Sequence, residues 1–218
     1  CHSDIFDFTN MIAVIDYGLG NLWSVAIALE SAGANEVRVS SDAGLIRGAD
    51  KIVLPGVGAI KEAMRELKRL NLIKTIHENI FKKPFLGICL GLQLLFERSE
   101  EGGQVRGLGV LEGTVRRFPD RLKVPHMGWN QIKVKRQNAK GKTKERGILK
   151  NIPDNSYFYF CHSYYADPKD KNIIAAVTDY GLEFTSAIRK DNLFACQFHP
   201  EKSQNLGLKL LKNFVELK

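Results

Sequence analysis

The sequence contains no apolar run approaching the roughly 20 residues needed to span a bilayer, which argues against a membrane protein. It has only four cysteines, Cys1, Cys89, Cys161 and Cys196, and no C-x-x-C pair. That spacing fits neither zinc ligation nor a disulfide scaffold, so a reducing, cytoplasmic setting is expected. No motif calls for a metal or a cofactor. Internal repeats, linkers and low-complexity stretches are also missing, and 218 residues suffice for one domain with a full core. The first ten residues, CHSDIFDFTN, lack the basic cluster of a secretory signal. They read as a leader or added segment (1–10), with the folded domain at 11–218 opening on Met11.

Negative charge is in short supply: 24 Asp and Glu stand against 32 Lys and Arg, a net charge of +8. Much of the excess lies in KVKRQNAKGKTKERGILK, residues 133–150. Aromatics are missing from that run, so nucleic-acid bases would find nothing to stack on. A solvated hairpin loop, of a kind that could face an acidic partner, is the better reading, and nucleic acid is not expected as a partner.

What is present is alternation. IAVIDYG (12–18), EVRVS (36–40), KIVLPG (51–56) and PFLGI (84–88) read as strands. Between and after them, NLWSVAIALESAG (21–33), IKEAMRELKRLNLIKTIHENIFK (60–82) and LGLQLLFERSEE (90–101) have helical spacing. Gly33 is the expected C-cap of the first. Strands separated by helices imply parallel pairing with right-handed crossovers. The second half changes to β-like runs, GVLEGTVRRF, NQIKVKR, SYFYFCHSYYA, IIAAVTD, TSAIRK and LFACQF, before a last helix, NLGLKLLKNFVELK. The expected fold is therefore α/β: a single domain with a central, mainly parallel sheet flanked by helices, plus an antiparallel β layer.

Three glycine-containing turns follow strands. DYGLGN (16–21) invites a dinucleotide reading, but the third glycine of G-x-G-x-x-G falls on Trp23, too large for close helix–strand contact, so a simple turn is favoured. Pro55-Gly56-Val57-Gly58 has no Lys-Ser/Thr after it and is not a phosphate loop, yet it leaves backbone N–H groups for a ligand. Gly87-Ile88-Cys89-Leu90-Gly91 is the thiol form of the nucleophile elbow: strand, sharp turn, helix. A buried structural cysteine is the competing reading. A nucleophilic cysteine needs a base, and His126, His162 and His199 are the candidates. His199 ends the strand run FACQF and is followed by Pro200 and Glu201, which fits nucleophile, base and orienting acid in Cys89, His199 and Glu201. Cys161 and Cys196 lie within strand runs and read as core. His77 lies on a polar helix with no evident role.

Together, LPGVGA (54–59), GICLGLQLLFE (87–97) and FHPEKS (198–203) resemble the class I, triad-type glutamine amidotransferases, with their flavodoxin-like architecture. DYGLGN, PHMGWN (125–130), YFYFCHSYYA (157–166) and QFHPEKSQ (197–204) narrow the resemblance to the glutaminase subunits of imidazole glycerol phosphate synthases, over essentially Met11 to Lys218. The resemblance implies Cys89 as nucleophile, His199 as general base and acid, and Glu201 as its partner. It implies an oxyanion hole from backbone N–H of Leu90 and of the Val57 and Gly58 loop, a loop that reorients for activity. Gly56, Gln93, Glu101, Ser163 and Tyr164 match positions that hold L-glutamine. Asn21, Met127, Trp129, Tyr159 and Lys202 match positions facing a (β/α)8-barrel cyclase subunit in a heterodimer. That partner would use the ammonia to make imidazole glycerol phosphate and an aminoimidazole carboxamide ribotide. Cys161 departs from the family, standing where a β-branched residue is common, and the 135–147 loop is longer and more basic. The competing functions are a related synthase with another ammonia acceptor, such as a sugar; a different thiol hydrolase; and a non-catalytic subunit.

Overall fold

A computed structural model describes residues 10–135 and 147–217. The leader expected at 1–10, except Asn10, and the centre of the basic run at 136–146 lie outside the described residues.

The chain begins as β1 (Met11–Ile15), α1 (Leu22–Ser31), β2 (Glu36–Ser40), α2 (Ala43–Gly48), β3 (Lys51–Leu54), α3 (Ile60–Arg69), α4 (Leu72–Asn79), β4 (Phe85–Ile88) and α5 (Leu90–Leu94). It continues as β5 (Phe96–Ser99), β6 (Val105–Arg106), β7 (Leu111–Arg117), β8 (His126–Val134), β9 (Ser156–His162), β10 (Tyr164–Pro168), β11 (Ile174–Asp179), β12 (Glu183–Lys190), β13 (Leu193–Cys196) and α6 (Gln204–Val215). The sheet runs β2-β1-β3-β4-β13-β12-β10-β7-β5-β6. From β2 to β13 every pairing is parallel. At β13 the sheet turns antiparallel through β12 and β10, and β12 also carries β11, which leads to the β8–β9 hairpin. The α/β fold class and the single domain hold. The antiparallel strands join the same sheet at β12 instead of lying apart.

The reason the first half reads as continuous apolar runs is burial on both faces: all four residues of β3, β4 and β13 are buried. On one face Leu54, Phe85, Ile60, Ile76 and Leu92 pack together. On the other, Val14, Ile88, Leu29, Leu211 and Phe214 do so, bringing α1 and α6 against the sheet. Register then aligns three strand ends: Leu54 lies beside Gly87 and Cys196 beside Ile88. The residues immediately after β3, β4 and β13 therefore emerge at one edge.

Two expected helices are shorter than their periodicity suggests. The 60–82 pattern is split between α3 and α4 by Asn71, whose φ of 58° takes the chain through the left-handed region; asparagine adopts that conformation readily, and apolar spacing does not register it. The 90–101 pattern stops after five residues, and Phe96–Ser99 becomes strand β5. Every residue of α5 is buried, so its apolar character carries no period. PHMGWN lies mostly within β8, and α2 was not expected. Among the described residues no helix is long and apolar enough to cross a membrane.

Candidate functional site

Cys89 occupies the single residue between β4 and α5, with φ 53° and ψ −106°. This is costly for a residue with a Cβ and holds only because the surroundings over-determine it. Its N–H donates to the Cys196 carbonyl at 2.8 Å, so β13 pins the turn. Gly91 is required by the packing behind it: a Cβ there would lie 1.8 Å from the Leu54 carbonyl oxygen. The elbow therefore depends on glycine for close backbone approach to β3. The five-residue α5 supplies only a short helix dipole to the sulfur.

His199 follows β13 and reaches the same edge. Its backbone is held on both sides: its N–H donates to the Tyr159 carbonyl at 2.8 Å and its carbonyl accepts from Ser203 Oγ at 2.6 Å. Its Nδ1 hydrogen-bonds Glu201 Oε1 at 2.8 Å, and the ring lies close enough to the Cys89 sulfur to feel its charge. Burial alone would lower the His199 pKa, but the hydrogen bonds and negative charge of Cys89 and Glu201 outweigh it and raise the pKa to about 10. Both side chains of the His199–Glu201 pair are buried, at 4% and 2% exposure, so solvent screens this attraction little. His126 and His162, the other candidate bases, instead pair with each other at 3.1 Å.

Of the expected oxyanion donors, Leu90 N–H already has a partner. Leu90 N–H donates to the Gly56 carbonyl at 3.3 Å, so that carbonyl occupies the donor. Val57 is exposed at the loop tip. Gly56 itself is pressed against Tyr17, whose hydroxyl donates to the Pro55 carbonyl at 2.8 Å; a Cβ on Gly56 would lie 2.0 Å from that hydroxyl.

Among the expected glutamine contacts, Gln93 is buried and donates through Nε2 to the Tyr164 carbonyl at 2.9 Å and to Gln197 Oε1 at 3.0 Å. Ser163 is the one-residue bend between β9 and β10, and its carbonyl accepts from Phe118 N–H. Glu101 accepts from Ile60 N–H at 2.9 Å, serving the open first turn of α3, where Ala59 supplies no side-chain cap. It thus supports the end of the Gly56–Gly58 loop without contact to Cys89 in this arrangement.

The expected partner residues share one face. Cross-strand pairing sets Met127 beside Cys161 and Trp129 beside Tyr159. Met127 and Trp129 are exposed, the Trp129 and Tyr159 rings meet edge-on at 6.2 Å, and Lys202 Nζ lies 5.8 Å over Tyr159. Asn21 caps α1 and, with Lys202, lines a narrow crevice that also touches Gly56, Val57, His199 and Glu201.

Sequence reasoning missed Gln197 and Tyr17. Gln197 is fully buried and its Nε2 points to the Cys89 sulfur at 3.7 Å. Its position two residues before His199 on an apolar strand was the available signal, a polar residue where packing asks for none. Tyr17 lies inside the DYGLGN turn, where the two glycines are the stronger sequence signal.

A cysteine on a strained turn, a buried imidazole and a carboxylate hydrogen-bonded to that imidazole are gathered at one edge of an α/β sheet. The family model for glutamine amidotransferase class-I matches residues 13–217. The chain is 53% identical over 207 residues to imidazole glycerol phosphate synthase subunit HisH of Acinetobacter baylyi, covering 94% of this chain and 97% of that one. It is 53% identical over 202 residues to the subunit of the same name from Aquifex aeolicus, covering 92% and 94%. Among solved structures, PurLQS from Thermotoga maritima superposes with a TM-score of 0.68 at 15% identity, covering 94% of this chain and 97% of that chain, a likeness of fold. The chain belongs to the class I glutamine amidotransferase family, alongside the HisH subunits.

Proposed function

We propose that the chain is the glutaminase subunit of an imidazole glycerol phosphate synthase, hydrolysing L-glutamine at Cys89 and delivering ammonia to a (β/α)8-barrel cyclase subunit in the cytoplasm. The observation that carries the chemistry is the buried His199–Glu201 pair facing the charge of the Cys89 sulfur, with His199 raised to a pKa of about 10. At neutral pH such a ring is an imidazolium, and the Cys89 sulfur, attacking in its thiolate form, adds to the side-chain amide carbon of glutamine. The electrons of the carbonyl move to oxygen, and His199 gives its proton to the departing nitrogen as the C–N bond breaks. Ammonia leaves and a glutamyl thioester remains. The sulfur has then lost its charge, one of the two supports of the imidazolium, and the neutral ring is a base for the water that releases glutamate.

The oxyanion needs donors. Leu90 N–H is occupied by the Gly56 carbonyl, so activity requires the Gly56–Val57 peptide to turn, freeing Leu90 and presenting N–H of Val57 or Gly58. Each donor of this kind contributes roughly 3–4 kcal/mol to the transition state. Gln93, Glu101, Ser163, Tyr164 and Gly56 hold the glutamine, and Asn21, Met127, Trp129, Tyr159 and Lys202 meet the cyclase. A closed resting loop keeps glutamine from being consumed before an acceptor is in place.

The test is Cys89→Ala assayed in the complex with the cyclase. Glutamine-dependent synthesis is expected to disappear while synthesis from added ammonium salts continues. Persistent glutamine-dependent turnover would overturn the nucleophile assignment.

A further inference from the structure

His126 and His162 are buried, lie outside the triad and have no part in the chemistry above. They form the centre of a continuous chain of hydrogen bonds. Asn130 Nδ2 faces His126 Nε2 at 3.2 Å, His126 Nδ1 faces His162 Nε2 at 3.1 Å, and His162 Nδ1 faces the Tyr164 carbonyl at 2.8 Å. From the other side, Gln93 Nε2 donates to that same carbonyl at 2.9 Å, and the series runs on through Gln197 to the Cys89 sulfur.

The direction of this chain is fixed at its outer end. Asn130 Oδ1 accepts from Gln131 N–H at 2.7 Å, and its Nδ2 also donates to the Asp179 carbonyl at 2.9 Å. The amide cannot be turned over without setting acceptor against acceptor and donor against donor. Nδ2 is therefore the donor to His126 Nε2, which must be bare. The His126 proton then sits on Nδ1 and donates to His162 Nε2, which is bare in turn. The His162 proton sits on Nδ1 and donates to the Tyr164 carbonyl. One tautomer at each ring satisfies every contact. Burial lowers both pKa values, to about 4 and about 3, so both rings are neutral at pH 7.

The last bond spans two residues, from His162 to the Tyr164 carbonyl, and so closes the backbone around Ser163. That bend and Gln93 are both assigned to the glutamine pocket. We propose that His126 and His162 are positioning residues for glutamine recognition: a one-directional imidazole pair, set by Asn130 on the Met127–Trp129 strand, that holds the Ser163–Tyr164 bend and the Gln93 amide in the substrate-binding arrangement. The inference rests on the glutaminase reading. It also ties the partner-facing strand to the pocket by hydrogen bonds alone.

Two isosteric replacements separate this role from simple packing. The amide nitrogen of asparagine takes the place of Nδ1, so His162→Asn keeps the donor to the Tyr164 carbonyl. In His162→Gln the amide takes the place of Nε2, and the carbonyl loses that donor. In the complex, His162→Gln is expected to raise the KM for glutamine about tenfold, the loss of one buried hydrogen bond, with kcat changed far less. His162→Asn is expected to stay within about threefold of the parent, on the same scale. Reaction of Cys89 with iodoacetamide and synthesis from ammonium salts should be unaltered in both, which checks folding and docking. Equal KM values in the two variants would overturn the proposal. Nitrogen-15 NMR of the unaltered chain is an independent measurement: both rings should be neutral with the proton on Nδ1, and a proton on Nε2 of either would sink the proposal even if the variants fail to fold. If the parent shows no glutaminase activity with its partner, the functional reading fails, and the NMR result still decides the hydrogen-bond chain.

Discussion

Glu201 gives one carboxylate oxygen to His199 and keeps the other, Oε2, buried without a hydrogen-bond partner among the described residues. Such a group is costly unless its charge is used, and the raised pKa of His199 is that use. Replacing it by Glu201→Gln keeps the shape and removes the charge. The His199 pKa should fall, and kcat for glutamine should drop about 10²-fold or more, the usual scale for a disabled acid–base partner. An NMR titration of His199 beside the rate measurement checks both halves. The same reasoning gives a stability signature. The His199 pKa is raised above its unfolded value near 6.5, so its contribution is full below that pH and is lost as pH rises through about 10. At this scale the turn that holds Cys89 and the His199–Glu201 pair were legible because each is written in consecutive residues. Gln197 and Tyr17 were not, because what matters about them is what the fold sets beside them, a sulfur in one case and a loop carbonyl in the other.

Among the elements, α5 is short and wholly buried, and its place is set by Gly91 against the end of β3. Gly91→Ala would put a methyl group 1.8 Å from the Leu54 carbonyl, so α5 must move away from β3. The expected outcome is a loss of roughly 3 kcal/mol or more in stability, in the upper range of overpacking costs, and loss of glutaminase activity through the displaced Cys89. Urea denaturation and the glutamine assay measure the two effects. The strands of the parallel half were readable from their continuous apolar runs. The limits of α4 and α5 were not: a left-handed asparagine interrupts one pattern without breaking its spacing, and burial on all sides erases the period of the other.

For the molecule as a whole, the buried histidine pair predicts acid sensitivity. Both pKa values are depressed to about 4 and about 3, below the unfolded value near 6.5. The unfolded chain therefore binds more protons as pH falls through 6.5, and stability drops with it until the folded rings also titrate. Two such groups amount to a loss on the order of 3 kcal/mol between pH 7 and pH 5. Urea denaturation at those two pH values should show it, and the pH dependence should be roughly halved in His162→Asn. The alternation of strands and helices made the α/β class legible. The order of strands was not, since pairing partners far apart in sequence leave no local trace.

One consequence concerns the order in which the chain is made. The last strand of the sequence, β13, lies between β4 and β12 in the interior of the sheet. Until it arrives, β4 is an open apolar edge, of the kind that invites aggregation. The segment that closes this edge also carries Gln197 and leads directly into His199 and Glu201. Closing the aggregation-prone edge and bringing His199 and Glu201 to the edge that holds Cys89 are thus a single folding event. Nascent chains that have emerged only as far as α5 carry a cysteine with no base beside it.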